Sequence, residues 1–431
     1  MSRSALFRPI ACAVLAVALL PFSAASAAPA GNGGKLLKMV ALVRHGVRAP
    51  VQSPEALAQW SLKPWPQWPV GRGELTPRGA RLVSAQWREM RESLAWNGLL
   101  PGEGCPGPGD VYVYADSEQR TRATAAALLE GLAPGCGLGY LTRSPDLKGP
   151  DPLFHPVAGG LCRPEQNSST AEVAPETLEA SLRPELDIMG RLAGPAAPAL
   201  CRAYGLPEGC TFAALPSRLT SDGPGGLPQM KGALSIGSSL AEIWLLEAAQ
   251  WPERQPAWGG LTPDELLEIM PVHTREFNAV QRAPSVAGPE GSALLAAMSA
   301  ALTGSHPDPA VNAASLVVFV GHDTSIAHVA ALLGLRWKTG SWPADAVPPG
   351  AALLLGLWRT DEGNTLVRAG FAAQDLGVMR SDDAQTLRQA ALGRAEPEFA
   401  LPTAAGARAG LPPDEFARAV DALLVRACLP R

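Results

Sequence analysis

The sequence predicts an α/β fold, with a central, mostly parallel sheet flanked by helices and an inserted, mainly helical second lobe. Three observations predict it. Leu316-Val317-Val318-Phe319-Val320 is apolar at every position, and a strand without polar alternation belongs in the middle of a sheet covered on both faces. Lys38 to Val43 is also β-rich and apolar, and it runs straight into Arg44-His45-Gly46. Val111 to Tyr114 leads through a short polar loop into Thr121 to Leu132, an Ala- and Leu-rich helical stretch stopped by Pro134. Strand, short loop and helix make a βα unit.

The elements follow in chain order. Arg3 and Arg8 flank a short polar start, Ile10 to Leu20 is apolar, and Ala25-Ser26-Ala27 closes with small residues. That order is the pattern of a cleaved secretory signal, and its 11-residue apolar centre falls short of the ~18–20 residues that span a bilayer. Removal of residues 1–27 leaves 404 of the 431 residues, more than one core usually organises, so two lobes are expected. Gly46 is expected to permit a tight turn after the first strand. The strand Leu316–Val320 is followed by Gly321-His322-Asp323-Thr324 and a helix over Ser325 to Leu333, and two further strands are expected at Ala351 to Trp358 and Leu366 to Ala372. Between about Glu176 and Met270 the chain reads as mostly helical, with Ile236 to Ala249 the clearest helix. The expected division is a signal at 1–27; an α/β core from 28–50, 103–165 and 271–431; and a mainly helical lobe with cap segments from 51–102 and 166–270.

Composition excludes some partners. The net charge of −4 becomes −6 without Arg3 and Arg8, which removes any electrostatic case for nucleic acid or an anionic membrane surface. A monomer acting on a small molecule is expected, and an anionic ligand must then be held by a local cluster of cations. Of seven cysteines, Cys12 falls in the signal. Cys105, Cys136, Cys162, Cys201, Cys210 and Cys428 remain for an oxidising compartment, allowing three disulfides in any of 15 connectivities. Their spacing is unlike that of zinc knuckles, and no histidine pair has metal-ligand spacing beside a carboxylate, so no metal and no other cofactor is expected. His155, His273, His306 and His328 read as surface or structural.

Chemistry gathers in Val43-Arg44-His45-Gly46-Val47-Arg48-Ala49-Pro50, which puts two guanidinium groups around one imidazole. Arginine binds phosphate oxygens in bidentate fashion and keeps its charge at every working pH. An imidazole can attack phosphorus while the arginines offset charge gathering on the equatorial oxygens. Taken alone, Arg-His-Gly could be an ordinary turn and His-Asp after a strand a helix cap; occurring together, they argue for a site.

Arg44-His45-Gly46-Val47-Arg48-Ala49-Pro50 with the distant Gly321-His322-Asp323-Thr324 resembles the two-part signature of histidine acid phosphatases. Ala115-Asp116-Ser117-Glu118-Gln119-Arg120-Thr121-Arg122, Leu75-Thr76-Pro77-Arg78-Gly79, Asp151-Pro152-Leu153-Phe154 and Pro348-Pro349-Gly350 are similar to further segments of that family. The resemblance runs from about Lys38 to Cys428 and is strongest to bacterial periplasmic phytases and glucose-1-phosphatases. It implies a phosphoglycerate-mutase-like core, a phosphohistidine formed on His45, Asp323 as proton donor, and phosphate contacts from Arg44, Arg48, His322 and Thr324. It also implies Arg120 as a further phosphate ligand, although from the residues alone Arg122 serves as well. Phe277-Asn278-Ala279-Val280-Gln281-Arg282 resembles the segment carrying a substrate-wall arginine, giving Arg282, and Glu242 is a candidate for the same wall. The implied disulfides are Cys105–Cys136, Cys201–Cys210 and Cys162–Cys428.

An alkoxide leaves poorly without a proton, so Asp323 is expected to sit beside negative phosphate or in a desolvated cleft that raises its pKa. The substrate is less constrained. Phytases that this chain resembles carry lysine where Gln52 stands, asparagine where Ser325 stands, and methionine near Ser239. Phytase activity, glucose-1-phosphatase and phosphoanhydride phosphatase activity all fit the motifs, whereas a phosphate-ester binding protein would need neither His45 nor Asp323.

Overall fold

The computed structural model describes residues 34–144, 146–163, 174–221, 226–383, 386–387, 392–401 and 406–430. The expected signal at 1–27 lies outside them. Among the described residues, nine strands form two sheets: β1 (Lys35–Arg44), β2 (Val111–Ala115), β3 (Leu141–Thr142), β4 (Arg218–Ser221), β5 (Pro228–Lys231), β6 (Leu316–Gly321), β7 (Ala352–Arg359), β8 (Thr365–Ala373) and β9 (Gly393–Ala395). The main sheet has the order β3-β2-β6-β1-β7-β8-β9, and β4 pairs only with β5. β3, β2, β6 and β1 run parallel, β7 and β9 run against them, and β8 returns to the first direction, so five of seven strands point the same way. The expected mostly parallel sheet is present, with its antiparallel pairings confined to the β1–β9 side.

Eight helices of ten residues or more accompany the strands among the described residues: α1 (Pro77–Trp96), α2 (Gln119–Leu132), α3 (Arg183–Ala193), α4 (Ala233–Gln250), α5 (Pro263–Gln281), α6 (Pro284–Thr303), α7 (Asp323–Leu332) and α8 (Pro413–Leu423). The apolar strands separate two cores by alternation. Val40, Leu42, Val317, Phe319 and Leu353 pack with Leu294, Met298, Ile326, Val329 and Phe416 from α6, α7 and α8. Their neighbours Ala41, Val43, Val318, Val320 and Leu354 face Val83, Trp87, Met90, Leu128 and Leu129 from α1 and α2. A third core lies among α3, α4 and α5, with Leu186, Met189, Leu240, Trp244, Leu266 and Met270 inside it. Helix α4 is buried nearly all round, which marks a helix enclosed by others. The two carboxylates on it, Glu242 and Glu247, are therefore the positions that need explaining.

Register aligns the strand ends that carry the motifs. Arg44 pairs with Gly321 and Val43 with Val320, while Ala115 pairs with the same Val320. His45 N–H donates to the Gly321 carbonyl at 3.0 Å and Asp116 N–H to the Val320 carbonyl at 2.9 Å. His45, Asp116 and His322 thus leave the sheet side by side at the carboxyl ends of adjacent parallel strands, where open α/β sheets form their crevices. Pro348-Pro349-Gly350 fastens this edge from beneath: Gly350 N–H donates to the His45 carbonyl at 3.0 Å, and Gln86 Nε2 donates to the Gly350 carbonyl at 2.6 Å.

The expectation for Gly46 needs a correction. Its φ is not among the positive ones, so no left-handed turn requires glycine there. Space requires it instead, because a Cβ would lie 2.7 Å from Val83 Cγ2 and 3.1 Å from the Gly79 carbonyl oxygen. Gly79 is tighter still, its would-be Cβ standing 2.1 Å from the Val47 oxygen. Thr76 caps α1 by accepting from Gly79 N–H at 2.9 Å, and Thr76 N–H donates to the same Val47 carbonyl. The start of α1 therefore presses directly on the His45 loop.

Three disulfides join Cys105 to Cys136, Cys162 to Cys428 and Cys201 to Cys210, the pairing that the family resemblance implies. No helix among the described residues is long and apolar enough to cross a membrane.

Gly79→Ala is expected to destabilise the fold by about 1–3 kcal/mol, since the obstructing atom is backbone and must move. Urea denaturation measures this. The same variant should lose turnover, because the displaced carbonyl belongs to the residue two beyond His45; unchanged stability would show that the helix start is free to shift.

Candidate active site

The site is built on Arg44, whose guanidinium is almost fully buried at the end of β1. It forms an ion pair with Glu242 of α4, a second with Asp323 Oδ2 at 2.8 Å, and donates through Nη1 to the Val347 carbonyl. Arg48 Nη2 lies 3.7 Å from the same Glu242 oxygen, and its Nη1 donates to the Ala49 carbonyl at 3.1 Å. Arg120, on the first turn of α2, is paired with Glu118, and its Nη2 lies 3.4 Å from His322 Nδ1. Three guanidinium groups and four carboxylates, counting Asp116, thus surround two imidazoles.

His45 stands among the arginines with its ring 5.6 Å from that of His322, edge to face. Its Nδ1 is 2.9 Å from the Gly46 carbonyl. A carbonyl only accepts, so Nδ1 carries the proton and Nε2 keeps a free lone pair whenever the ring is neutral. Burial first, and then the charges of Arg48, Arg44 and Arg120, hold the His45 pKa well below the ordinary imidazole value. The nucleophilic tautomer therefore persists into acid solution.

His322 is the N-cap of α7 and Asp323 its first residue, two residues earlier than the expected start of that helix. Thr324 N–H donates to Asp323 Oδ1 at 2.9 Å, leaving Oδ2 for Arg44. A carboxylate on the first turn also has the favourable end of the helix dipole. Ser325 accepts from His322 N–H at 3.4 Å, closing the cap.

Several residues join the site that sequence reasoning left outside it. Asp116, wholly buried, accepts from Ser117 N–H through Oδ1 at 2.7 Å, and its Oδ2 lies 2.6 Å from His322 Nε2 and 2.8 Å from His155 Nε2. His155 is thus a structural partner of Asp116, and folding brings two histidines to one carboxylate although their spacing in sequence gives no metal-ligand pattern. His273, on α5, bonds Ser238 Oγ through Nδ1 at 3.0 Å and directs Nε2 to Glu242 Oε2 at 3.7 Å. Glu242, a candidate for the substrate wall from the sequence, is instead the buried partner of Arg44, as a carboxylate inside an apolar helix needs. His328 is structural, bonding Gln281 at 3.0 Å. Arg282 caps α5, is buried, donates to the Leu335 carbonyl at 2.6 Å and lies 5.7 Å over the Trp337 ring.

Comparison with known proteins agrees with this geometry. Residues 35–178 match the histidine phosphatase superfamily, branch 2. The chain is 34% identical to phytase AppA of Escherichia coli K12 over 349 residues, covering 77% of this chain and 78% of that one. The chain belongs to the histidine phosphatase superfamily. It is also 26% identical to a glucose-1-phosphatase of Salmonella typhimurium LT2, over 81% of this chain and 83% of that protein. The solved structure of Hafnia alvei phytase in complex with tartrate superposes with a TM-score of 0.82 at 32% identity, covering 93% of this chain and all of that one. The enzyme is a hydrolase of the histidine acid phosphatase type, with their α/β fold.

One expectation for this phosphatase is corrected. Burial by itself raises the Asp323 pKa, but Arg44, then Arg48, His273 and His322, outweigh it and hold the carboxyl down at about 2. The free enzyme thus keeps Asp323 ionised, contrary to the raised value expected of a proton donor, because the cations that await phosphate act on it instead. Glu242 is held low in the same way: burial opposes ionisation, and Arg44, His273 and Arg48 overcome it.

Carbon-13 NMR of the histidine rings is expected to show His45 neutral as pH falls through 6.5. His155, which burial would lower, is raised by its hydrogen bond to Asp116 and by that charge, so it should still be protonated there. A His45 midpoint at or above 6.5 would contradict the field assigned to the three arginines.

Proposed function

We propose that the enzyme hydrolyses phosphate monoesters in two displacements at His45. In the first, His45 Nε2 bonds to phosphorus as the ester P–O bond breaks, and the departing alkoxide takes a proton from Asp323. In the second, water attacks the phosphohistidine, gives a proton to Asp323, and releases inorganic phosphate. The observation that carries the reading is an imidazole with a bare Nε2, held neutral by burial among Arg44, Arg48 and Arg120. Those arginines, with His322, are the ligands for the phosphoryl oxygens, and Thr324 holds the acid through its backbone N–H. The family resemblance implies Arg282 as a substrate-wall arginine, but it is buried and donates to the Leu335 carbonyl, so no substrate contact is proposed for it.

The ionised Asp323 has no proton of its own, and the substrate supplies it. A phosphate monoester has its second pKa near 6, so below that it arrives as a monoanion carrying a proton. Once phosphate charge satisfies Arg44 and Arg48, the cause of the depressed Asp323 pKa is removed, and the proton passes to the carboxylate. The acid form is thus made by substrate binding.

Phytase activity on inositol hexakisphosphate is the leading substrate proposal, supported by the likeness to the E. coli and Hafnia phytases. Glucose 1-phosphate hydrolysis is the second reading, favoured by neutral Gln52 in place of a lysine and by the partly exposed carboxylate of Glu118 beside Arg120, which disfavours a highly anionic substrate. Relative kcat/KM for the two substrates separates them. Among the described residues, 51–102 and 174–270 are proposed as the helical lobe and cap segments beside the core, with α1 packed on the sheet itself. Export to the periplasm after cleavage near Ala27, as a monomer, completes the proposal and accords with three disulfides.

His45→Ala is expected to abolish turnover and to trap no base-stable, acid-labile phosphate label, whereas the wild type traps it. A folded His45→Ala protein that keeps substantial activity would refute the nucleophile.

Asp323→Asn should slow a sugar phosphate by roughly 10²–10⁴-fold and p-nitrophenyl phosphate far less, because a stable leaving group needs little general-acid help. Equal losses on both would mean that Asp323 only holds Arg44. In the wild type the alkaline limb of kcat/KM should follow the second pKa of the substrate, moving lower for esters of more acidic alcohols; a limb fixed across substrates would sink the idea that the substrate delivers the proton.

A further inference from the structure

Behind the arginines, three ligand-type atoms from distant stretches of chain converge. Oδ2 of Asp116, Nε2 of His155 and Nε2 of His322 all lie within 4.8 Å of one another, with Oδ2 at 2.8 and 2.6 Å from the two nitrogens. Glu118 Oε2 is 3.8 Å from His322 Nε2. The phosphoryl transfer proposed above uses His322 but has no need of a second imidazole on the same carboxylate oxygen. His155 is placed there by a tight turn, its N–H donating to the Asp151 carbonyl at 2.9 Å, and Asp151 is itself held by the Tyr114 hydroxyl at 2.8 Å.

We propose that Asp116, His155 and His322, with Glu118 as a fourth ligand, form a site for a divalent transition ion of the Zn²⁺ or Cu²⁺ class, and that occupancy slows turnover. The donor set decides the class. Two imidazole nitrogens and carboxylate oxygens suit Zn²⁺ and Cu²⁺, whereas Mg²⁺ and Ca²⁺ take six or more oxygens. In the empty site each Nε2–H donates to Asp116 Oδ2, because a carboxylate only accepts, so the ion takes the two Nε2 lone pairs by displacing those protons to solvent. The side chains of His155 and Glu118 are 27% and 42% exposed, so an ion has a path in. Charge permits it: Asp116 and Glu118 match the two charges of the ion, Arg44 and Arg48 face Glu242, and Arg120 gives up its pairing with Glu118 when the ion binds.

Geometry explains the effect on turnover. Bonds of ~2.1 Å in a tetrahedral site set ligand atoms about 3.4 Å apart, so the Asp116–His322 contact must open by several tenths of an ångström. Glu118 must also turn from Arg120 to the ion. Displacements of this order at groups contacting phosphate cost rate steeply. The effect on turnover rests on the phosphatase reading; binding of the ion does not.

The test uses EDTA-treated full-length enzyme. Zn²⁺ calorimetry is expected to show one equivalent bound, and Cu²⁺ electron paramagnetic resonance should show coupling to two imidazole nitrogens. His155→Asn should weaken Zn²⁺ by at least about tenfold. Zn²⁺ should slow p-nitrophenyl phosphate turnover reversibly, EDTA restoring it, with an inhibition constant raised at least about tenfold in His155→Asn. Equal Zn²⁺ affinity in the two proteins overturns the site. So does a Cu²⁺ spectrum with fewer than two imidazoles, a measurement on the wild type that holds even if the variant fails to fold. Zn²⁺ bound with undiminished turnover overturns the inhibitory role. An enzyme with no phosphatase activity at all would defeat the earlier reading while leaving the calorimetry and resonance to decide the site.

Discussion

A guanidinium keeps its proton in a folded protein, so burying Arg44 at the end of β1 obliges the chain to bring carboxylates to it. Glu242 and Asp323 answer that demand from α4 and α7. One cation thereby ties the central strand, the enclosed helix of the third core and the helix after β6 into a single cluster. Arg48 joins through the same Glu242. Losing either carboxylate leaves a buried charge partly uncompensated, so the architecture around the sheet edge and the electrostatics of the site have one origin.

That origin also sets protonation. The arginines that push His45 below the ordinary imidazole range keep its Nε2 bare in acid, and they hold Asp323 ionised. Nucleophile and acid are thus biased by one field in the same direction, toward loss of a proton. For the nucleophile this is the working state. For the acid it is the resting state, which only a phosphate anion among the guanidiniums reverses. The cluster consequently couples the presence of substrate to the presence of an acid, and water alone in the pocket finds no donor.

The sheet and the chemistry were legible in the sequence to the extent that each was written contiguously. The apolar runs of β1 and β6 showed central strands, and Arg44-His45-Gly46 and His322-Asp323 showed which strand ends carry the site, because the residues that act there are neighbours in sequence. Their partners are not neighbours. Arg44 meets Glu242 of α4 across 198 positions, and His322 meets Asp116 across 206; the register of β2 and β6 brings the second pair together, and the packing of α4 the first. The field on Asp323 was unreadable for the same reason, since its sign depends on which cation stands 2.8 Å away. Gly46 shows a subtler case. Glycine after a strand suggested a turn, whereas the constraint comes from Val83 and Gly79 on a helix whose position the local sequence does not state.

Each guanidinium that would hold phosphate is already matched to a carboxylate: Arg44 to Glu242 and Asp323, Arg48 to Glu242, and Arg120 to Glu118. Phosphate therefore binds by exchange of partners, and its ground-state affinity is reduced by the contacts it displaces. The transition state is affected less. As the P–O bond lengthens, charge moves onto the equatorial oxygens and the leaving oxygen, where the arginines and a protonated Asp323 act on it, while the carboxylates released in the exchange make no compensating claim. A pocket whose cations rest on internal anions thus favours the transition state over the substrate, which is the difference that accelerates a reaction. The same pairing prevents three arginines beside two imidazoles from repelling one another in the empty site, so the arrangement that lets the chain fold around buried positive charge is also the one that directs binding energy to the chemical step.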